Sequence, residues 1–441
     1  MRLLLAVLMC TGMLEAQVQE LNSAQRQALQ DLKPRLVSAQ HGPDPAAVRA
    51  VVLESLRIFG DQAGLPELKD VYRSPIGGSE LFAADRVAEA FGPYVDHIEK
   101  IRWWKVGLDP AKLNHALRET ATITRACLAV ARAEPKLAVR LLPIARECGD
   151  FMLWAQSEAG TGVIPFPALR DGSGRSFEVS ERYLAGLEKS GQLASVVRKG
   201  WVSADPTEDG GLQFDNGLGG CALLELFAAT RDQRYLEGAL KAADWAAAAP
   251  VVPNWNYNSF SLQLLAQAYE ATHEGRYLVA ARKKFLIGVH PGQLVDGPRA
   301  GRWADAHNAR PAYHYIMVRA LASLVAVMPM DDAERPALLA CLRLALRARN
   351  PEFASKGIMN IDSSVEALAA VENLPSAVRA ELGPCEVAEA LDVLERYVAH
   401  GVMKSKPSAG PEACALLLER ASRRVKQPSS QRPKTFPGHN H

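Results

Sequence analysis

Asn254-Trp255-Asn256-Tyr257-Asn258 sets three amides and two aromatic rings in five consecutive residues, directly ahead of an apolar helical stretch. Rings of this kind stack on the apolar face of a sugar, and amides pair with its hydroxyls. Asn258 alone is also explained as a helix cap, as is Asn216. Capping does not account for Asn254, Trp255, Asn256 and Tyr257 together. A second segment runs from Arg302 to Arg310 and continues into Tyr313-His314-Tyr315. It holds Trp303, Asp305, His307, Asn308 and Arg310. Histidine exchanges protons near neutrality, and tyrosine can donate one. The plain alternative is a hydrogen-bonded helix start in which Asp305 pairs with Arg310. The third segment, Glu208 to Gly217, carries Asp215 at an expected helix start, where the helix dipole favours negative charge. Asp215 reads either as a cap or as a hydrolytic acid or base. Gly217, Gly219 and Gly220 read as packing positions between helices.

These residue types allow two reactions and one inert alternative. Eliminative cleavage of a uronate polymer removes a proton next to a carboxylate. Amides or guanidiniums must offset that carboxylate's charge, which makes the proton more acidic. Asn256 and Arg310 suit the carboxylate, His307 or His314 the base, and Tyr257 or Tyr313 the acid. Hydrolysis instead needs two carboxyl groups flanking the bond, about 5–9.5 Å apart. Asp215 and Asp305 are the available pair, for a glycoside hydrolase or a sugar epimerase. The third reading is a glycan or protein binder without chemistry. Asn254, Trp255, Asn256, Asn258, Trp303 and Asn308 are the candidate substrate contacts. His97 and His115 are isolated, and Trp103-Trp104 reads as core. There is no GK[ST] phosphate loop, HExxH, GxSxG or CxxC, so no cofactor is expected and no residues are assigned as metal ligands, while the sequence does not decide whether calcium binds.

The elements that must position these residues are helical. Apolar residues recur at helical spacing almost throughout, and sustained alternation is scarce. Thr272 repeats Thr230 at an offset of 42 residues. Arg234-Tyr235-Leu236, Ala239 and Lys241 reappear as Arg276-Tyr277-Leu278, Ala281 and Lys283. A period of this length with helical patterning marks a repeated two-helix unit. Expected helices include 44–59, 80–91, 93–106, 110–132, 135–158, 217–230 and 235–249. They continue with 258–272, 276–287, 311–327, 332–349, 385–400 and 411–426. Short turns make neighbours antiparallel. Long loops at 160–176, 202–216 and 289–310 break the array, and loops of that length are usually functional. The expected fold is all-α: an (α/α) toroid or barrel of antiparallel hairpins with its long loops at one end.

At 441 residues and 48% apolar composition the chain is globular. A net charge of +2 argues against nucleic-acid or membrane electrostatics. No internal apolar run reaches the roughly 18 residues of a membrane span. Arg2 followed by Leu3 to Met13 reads as a secretory signal at 1–16, with Ala16 at the cleavage point. The expected domain spans 17–425, and the proline-rich polar segment 426–441 reads as a disordered tail. Export would be to the periplasm or outside the cell. The remaining six cysteines permit disulfides, but their apolar settings favour buried thiols.

The unit DNGLGGCALLELFAATRDQRYLEGALKAADW, with aromatic-polar loops ahead of it and after it, resembles the exported (α/α)-toroid carbohydrate-active enzymes. The resemblance covers about Pro110 to Val327. Within that class, Asn254–Asn258 followed by Arg310 and Tyr313-His314-Tyr315 is similar to alginate-lyase-like sites, which use Asn, His, Arg and Tyr. It implies a poly- or oligosaccharide substrate and a site on the loops that precede inner helices.

Overall fold

The helical patterning is realised as seventeen α-helices among the residues that the computed structural model describes, 22–59, 72–74, 80–105, 116–168, 175–205, 210–304 and 308–426. In chain order these are α1 (Ser23–His41), α2 (Pro45–Phe59), α3 (Val87–Ile101), α4 (Ala116–Ala133), α5 (Ala138–Ala159) and α6 (Arg175–Lys189). Next come α7 (Leu193–Val196), α8 (Gly211–Thr230), α9 (Gln233–Ala248), α10 (Trp255–Thr272), α11 (Gly275–Gly288) and α12 (Pro311–Val327). The last are α13 (Arg335–Ser355), α14 (Ile361–Glu372), α15 (Ser376–Leu382), α16 (Val387–Met403) and α17 (Pro411–Lys426). The expected strand content of near zero is close: β1 (Phe166–Pro167), β2 (Val197–Arg198) and β3 (Trp201–Val202) form one small antiparallel sheet in the order β1-β3-β2.

Packing closes a ring. α4 packs on α8, α8 on α10, α10 on α12, α12 on α14, α14 on α17, and α17 returns to α4. Outside them, α5, α9, α11, α13 and α16 each pack on the inner helix beside them. Ascending pairs show that inner neighbours run parallel. Gly217 and Gly220 of α8 lie against Phe260 and Leu264 of α10. Glu412 and Glu419 of α17 pair with Arg125 and Arg132 of α4. The inner-helix N-termini therefore face one rim. A Cβ on Gly217 would stand 2.7 Å from the Phe260 carbonyl oxygen, so glycine is what lets α8 and α10 approach.

The 42-residue repeat proves to be a packing device. Thr230 and Thr272 each bond back to a carbonyl one turn earlier. Arg231 and His273 then end their helices in the left-handed region, with φ 59° and 58°. Tyr235 and Tyr277 are buried and donate to Asp150 and Asp244 on the preceding outer helices, at 3.0 and 2.9 Å. Each hairpin is thereby pinned to the one before it.

Several boundaries differ from expectation. α8 starts at Gly211 instead of Gly217, and α10 at Trp255 instead of Asn258. The two helices expected at 80–91 and 93–106 are one helix, α3, with Pro93 inside it. Trp103 and Trp104 follow it in a buried 3₁₀ turn. α17 ends at Lys426 as the expected helix 411–426 does, which takes that residue out of the expected tail. The expected signal segment 1–16 and residues 427–441 lie outside the described residues. Helices α1, α6, α7, α14 and α15 had no counterpart in the expected set. α1 and α2 form a hairpin that buttresses the rim. Gln40 donates to the Val252 carbonyl, and Arg49 to those of Pro291 and Gln293. All six cysteines of the described residues are free and buried.

Candidate functional site at the rim of the inner helices

Three loops leading into α8, α10 and α12 meet at this rim. Gly210 takes φ 81°, and a Cβ there would lie 2.6 Å from a Val252 methyl and 3.3 Å from the Tyr257 Cβ. The segment before α8 thus lies directly on the turn before α10. Across the other side, Asn308 reaches α10. Its Oδ1 accepts from the Asn256 backbone N–H at 3.1 Å and from the Asn256 amide at 2.9 Å. Asn308 therefore caps α10 in place of Asn254, whose position at the N-cap carries no side-chain cap bond. Asn254 Oδ1 takes the other Asn256 amide proton, at 2.7 Å. Both amide protons of Asn256 are committed within the protein, so its role is to orient the first turn of α10.

Asn258 and Asn216 sit within their helices and lock loops. Asn258 accepts from the Val252 N–H and donates to the carbonyls of Val252 and Gly288, at 3.0, 2.8 and 2.9 Å. Asn216 accepts from the Ile164 N–H and donates to the Ala242 carbonyl, both at 2.9 Å. Asp215 is not at a helix start but one turn in. Arg118 of α4 holds both its oxygens, at 2.9 and 2.7 Å. The Arg118 guanidinium also stacks 3.7 Å from the Phe214 ring centroid. Asp215 is almost wholly enclosed, whereas Arg118 is part-exposed, at 2% and 31% of their side chains.

The tryptophans point inward. Trp255 and Trp303 are 3% and 0% exposed, and the Trp303 indole N–H donates to the Val289 carbonyl at 2.9 Å. His314 is also fully buried, with Nε2 3.0 Å from the Ala345 carbonyl and its ring against Trp303 and Tyr315. Burial, then Arg349, hold its pKa well below the usual range, so the ring is neutral at physiological pH. No face of it is left for a substrate. Among the described residues where α4, α8, α10 and α12 begin, Arg118, Phe214, Tyr257, Arg310 and Tyr313 are part-exposed. Arg310 occupies the N-cap position of α12, with its guanidinium 5.1 Å from the Tyr313 ring centroid. Asp305 and His307 lie outside the described residues. Among the described residues, no three His, Cys, Asp or Glu side chains group to hold a metal ion, and no helix is long and apolar enough to cross a membrane.

Deeper on the ring axis lies a charge cluster that sequence reasoning did not single out. Arg125 sits seven residues, hence roughly 10 Å, below Arg118 on the same face of α4. It contacts Glu225 of α8 at 2.8 Å and Glu412 of α17 at 2.5 Å. Arg319 of α12 pairs with Glu366 of α14. Five of the six inner helices contribute. Burial pushes the Glu412 carboxyl up to about 8, against the opposing pull of Arg125. The available signal was a charge recurring on an otherwise apolar inner-helix stripe.

No protein-family model and no curated relative matches the chain. Solved structures do. One is a polysaccharide lyase, 12% identical, covering 77% of this chain and 97% of its own, with a TM-score of 0.41. Another is a glycosyl hydrolase family 88 protein from Bacteroides vulgatus, 11% identical, covering 78% of this chain and 99% of its own, with a TM-score of 0.43. Identity at this level assigns neither reaction to this chain.

Proposed function

We propose that the chain is a carbohydrate-active enzyme whose rim holds an anionic polysaccharide and cleaves it by β-elimination beside a uronate carboxylate. The observation that carries this reading is the composition of the part-exposed rim. It joins two guanidiniums, Arg118 and Arg310, to three rings, Phe214, Tyr257 and Tyr313, at the shared N-terminal end of the inner helices. Helix N-termini favour anions, and rings favour the apolar face of a sugar. Arg310 would bind the carboxylate next to the proton that is removed. Tyr257 or Tyr313 would protonate the leaving oxygen as the carbon–oxygen bond breaks and a carbon–carbon double bond forms. The base would be His307, since His314 is enclosed. A leader at 1–16 would bring the chain to polymer in the periplasm or outside the cell.

Hydrolysis by Asp215 and Asp305 is the weaker reading. Arg118 occupies both Asp215 oxygens, so that carboxylate is engaged within the protein and is not presented to a glycosidic bond. Incubation with polyuronates is expected to raise the ultraviolet absorbance of an unsaturated uronate. Tyr313→Phe combined with His307→Ala is expected to lower that rate by about 10²–10⁴-fold, the span of acid–base catalysis. Reducing ends without absorbance would identify hydrolysis instead. Binding with neither signal would identify a glycan binder.

A further inference from the structure

Lys284 of α11 is a buried cation that the proposed reaction does not use. It is 3% exposed, while its neighbour Lys283 faces solvent. Its Nζ donates to Gln213 Oε1 at 3.0 Å, to the Ala249 carbonyl at 3.0 Å and to the Pro250 carbonyl at 2.8 Å. Three N–H groups meet three acceptors, so the ammonium is fully satisfied by neutral oxygens. Among the described residues no carboxylate forms an ion pair with it. Gln213 is drawn in from three sides. Its Oε1 also accepts from Ser261 Oγ of α10 at 2.7 Å, and its amide donates to the Pro250 carbonyl at 3.2 Å. One side chain of an outer helix thus ties the first turn of α8 to the turn that delivers Asn254, Asn256 and Tyr257.

We propose that Lys284 is a positioning residue for the rim: its ammonium fixes the Ala249–Pro250 turn against Gln213, and so sets where Tyr257 stands relative to Phe214 and Arg118. The functional consequence rests on the reading of the rim as a polyuronate site; the geometric one does not. Burial lowers the Lys284 pKa to about 7, with a smaller push from Lys283. The neutral amine has two N–H groups for three acceptors, so one carbonyl or Gln213 loses its partner. That loss is outweighed by removal of the buried charge, because opening the turn returns the amine to water, where it takes up a proton; the clamp therefore resists opening more strongly as the pH rises through 7.

Hydrogen exchange of the full chain, corrected for intrinsic rates, tests this directly. Peptides covering 249–258 are expected to exchange about tenfold faster in Lys284→Met than in the wild type at pH 6, the effect of one lost buried hydrogen bond. Peptides of α14 (361–372) should be unchanged. In the wild type, 249–258 should itself gain protection between pH 6 and 8.5, as the buried charge is removed, which keeps the test informative if the variant does not fold. On polyuronate, Lys284→Met is expected to raise KM more than it lowers kcat. Unchanged protection of 249–258 in both the variant and the wild-type pH series would overturn the proposal. That gain of protection with pH, in a wild type that cleaves no polyuronate, would uphold the positioning role and overturn the functional reading instead.

Discussion

Arg118→Met is expected to destabilise the chain by about 3–5 kcal/mol, because it leaves a buried carboxylate without its partner. Asp215 is 2% exposed, and both its oxygens depend on that guanidinium. The pair also bridges α4 and α8 beneath the rim, where α8 already relies on Gly217 for its approach to α10. Replacing both partners, Arg118→Met with Asp215→Asn, removes the stranded charge. The double variant is therefore expected to be more stable than Arg118→Met alone, a coupling that chemical denaturation of the four proteins in the cycle measures. Losses that simply add would show that the two side chains act independently. Asp215→Asn alone should keep measurable eliminative activity. Complete loss of turnover in a fully folded Asp215→Asn protein would return Asp215 to the chemistry.

The second large effect belongs to Glu412. Burial raises its pKa from an ordinary 4.5 to about 8, so the folded chain carries a proton there that the unfolded chain releases. The carboxyl faces Arg125 from α4, Glu366 from α14, Arg319 from α12 and Glu225 from α8. Three carboxylates and two guanidiniums balance only when one carboxyl stays protonated. For a group whose folded pKa is raised, the stabilisation is fully present below the unfolded pKa and is lost as pH climbs through the folded one. Between pH 4.5 and about 8 the stability due to Glu412 should fall by up to ~5 kcal/mol. Glu412→Gln keeps the shape of the neutral acid and removes the titration. Its stability should therefore fall much less than that of the wild type between pH 5 and 9 in parallel denaturation curves. Parallel profiles for the two proteins would contradict the assignment.

The paired helices were legible because the contacts that join them recur with the repeat. Thr230 and Thr272, and Tyr235 and Tyr277, do the same work at the same offset, and repeated work leaves a repeated trace. α14 was missed because Ile361–Glu372 is short and follows Asn360, which adopts the left-handed region rather than capping through its side chain. The start of α8 was misplaced because Gly210-Gly211 reads as loop, although only Gly210 needs the left-handed conformation. The convergence of Asp215, Asn256 and Asn308 at one rim followed from loop placement. Which rings face solvent did not. Trp255 and Tyr257 lie two residues apart, yet one is enclosed and the other part-exposed, because a helix turns 200° in two residues. Lys283 and Lys284 present the same difficulty: adjacent identical charges, one solvated and one buried. Sequence spacing shows that two residues differ in direction. It does not show which of them meets the neighbouring hairpin.

A crystal structure of the chain with a bound uronate oligosaccharide tests the assignment of the rim most directly. The account predicts a sugar carboxylate on Arg310, a ring of the ligand against Tyr257 or Phe214, and the Tyr313 hydroxyl beside a glycosidic oxygen. A ligand seated away from the N-terminal ends of α8, α10 and α12 would contradict it.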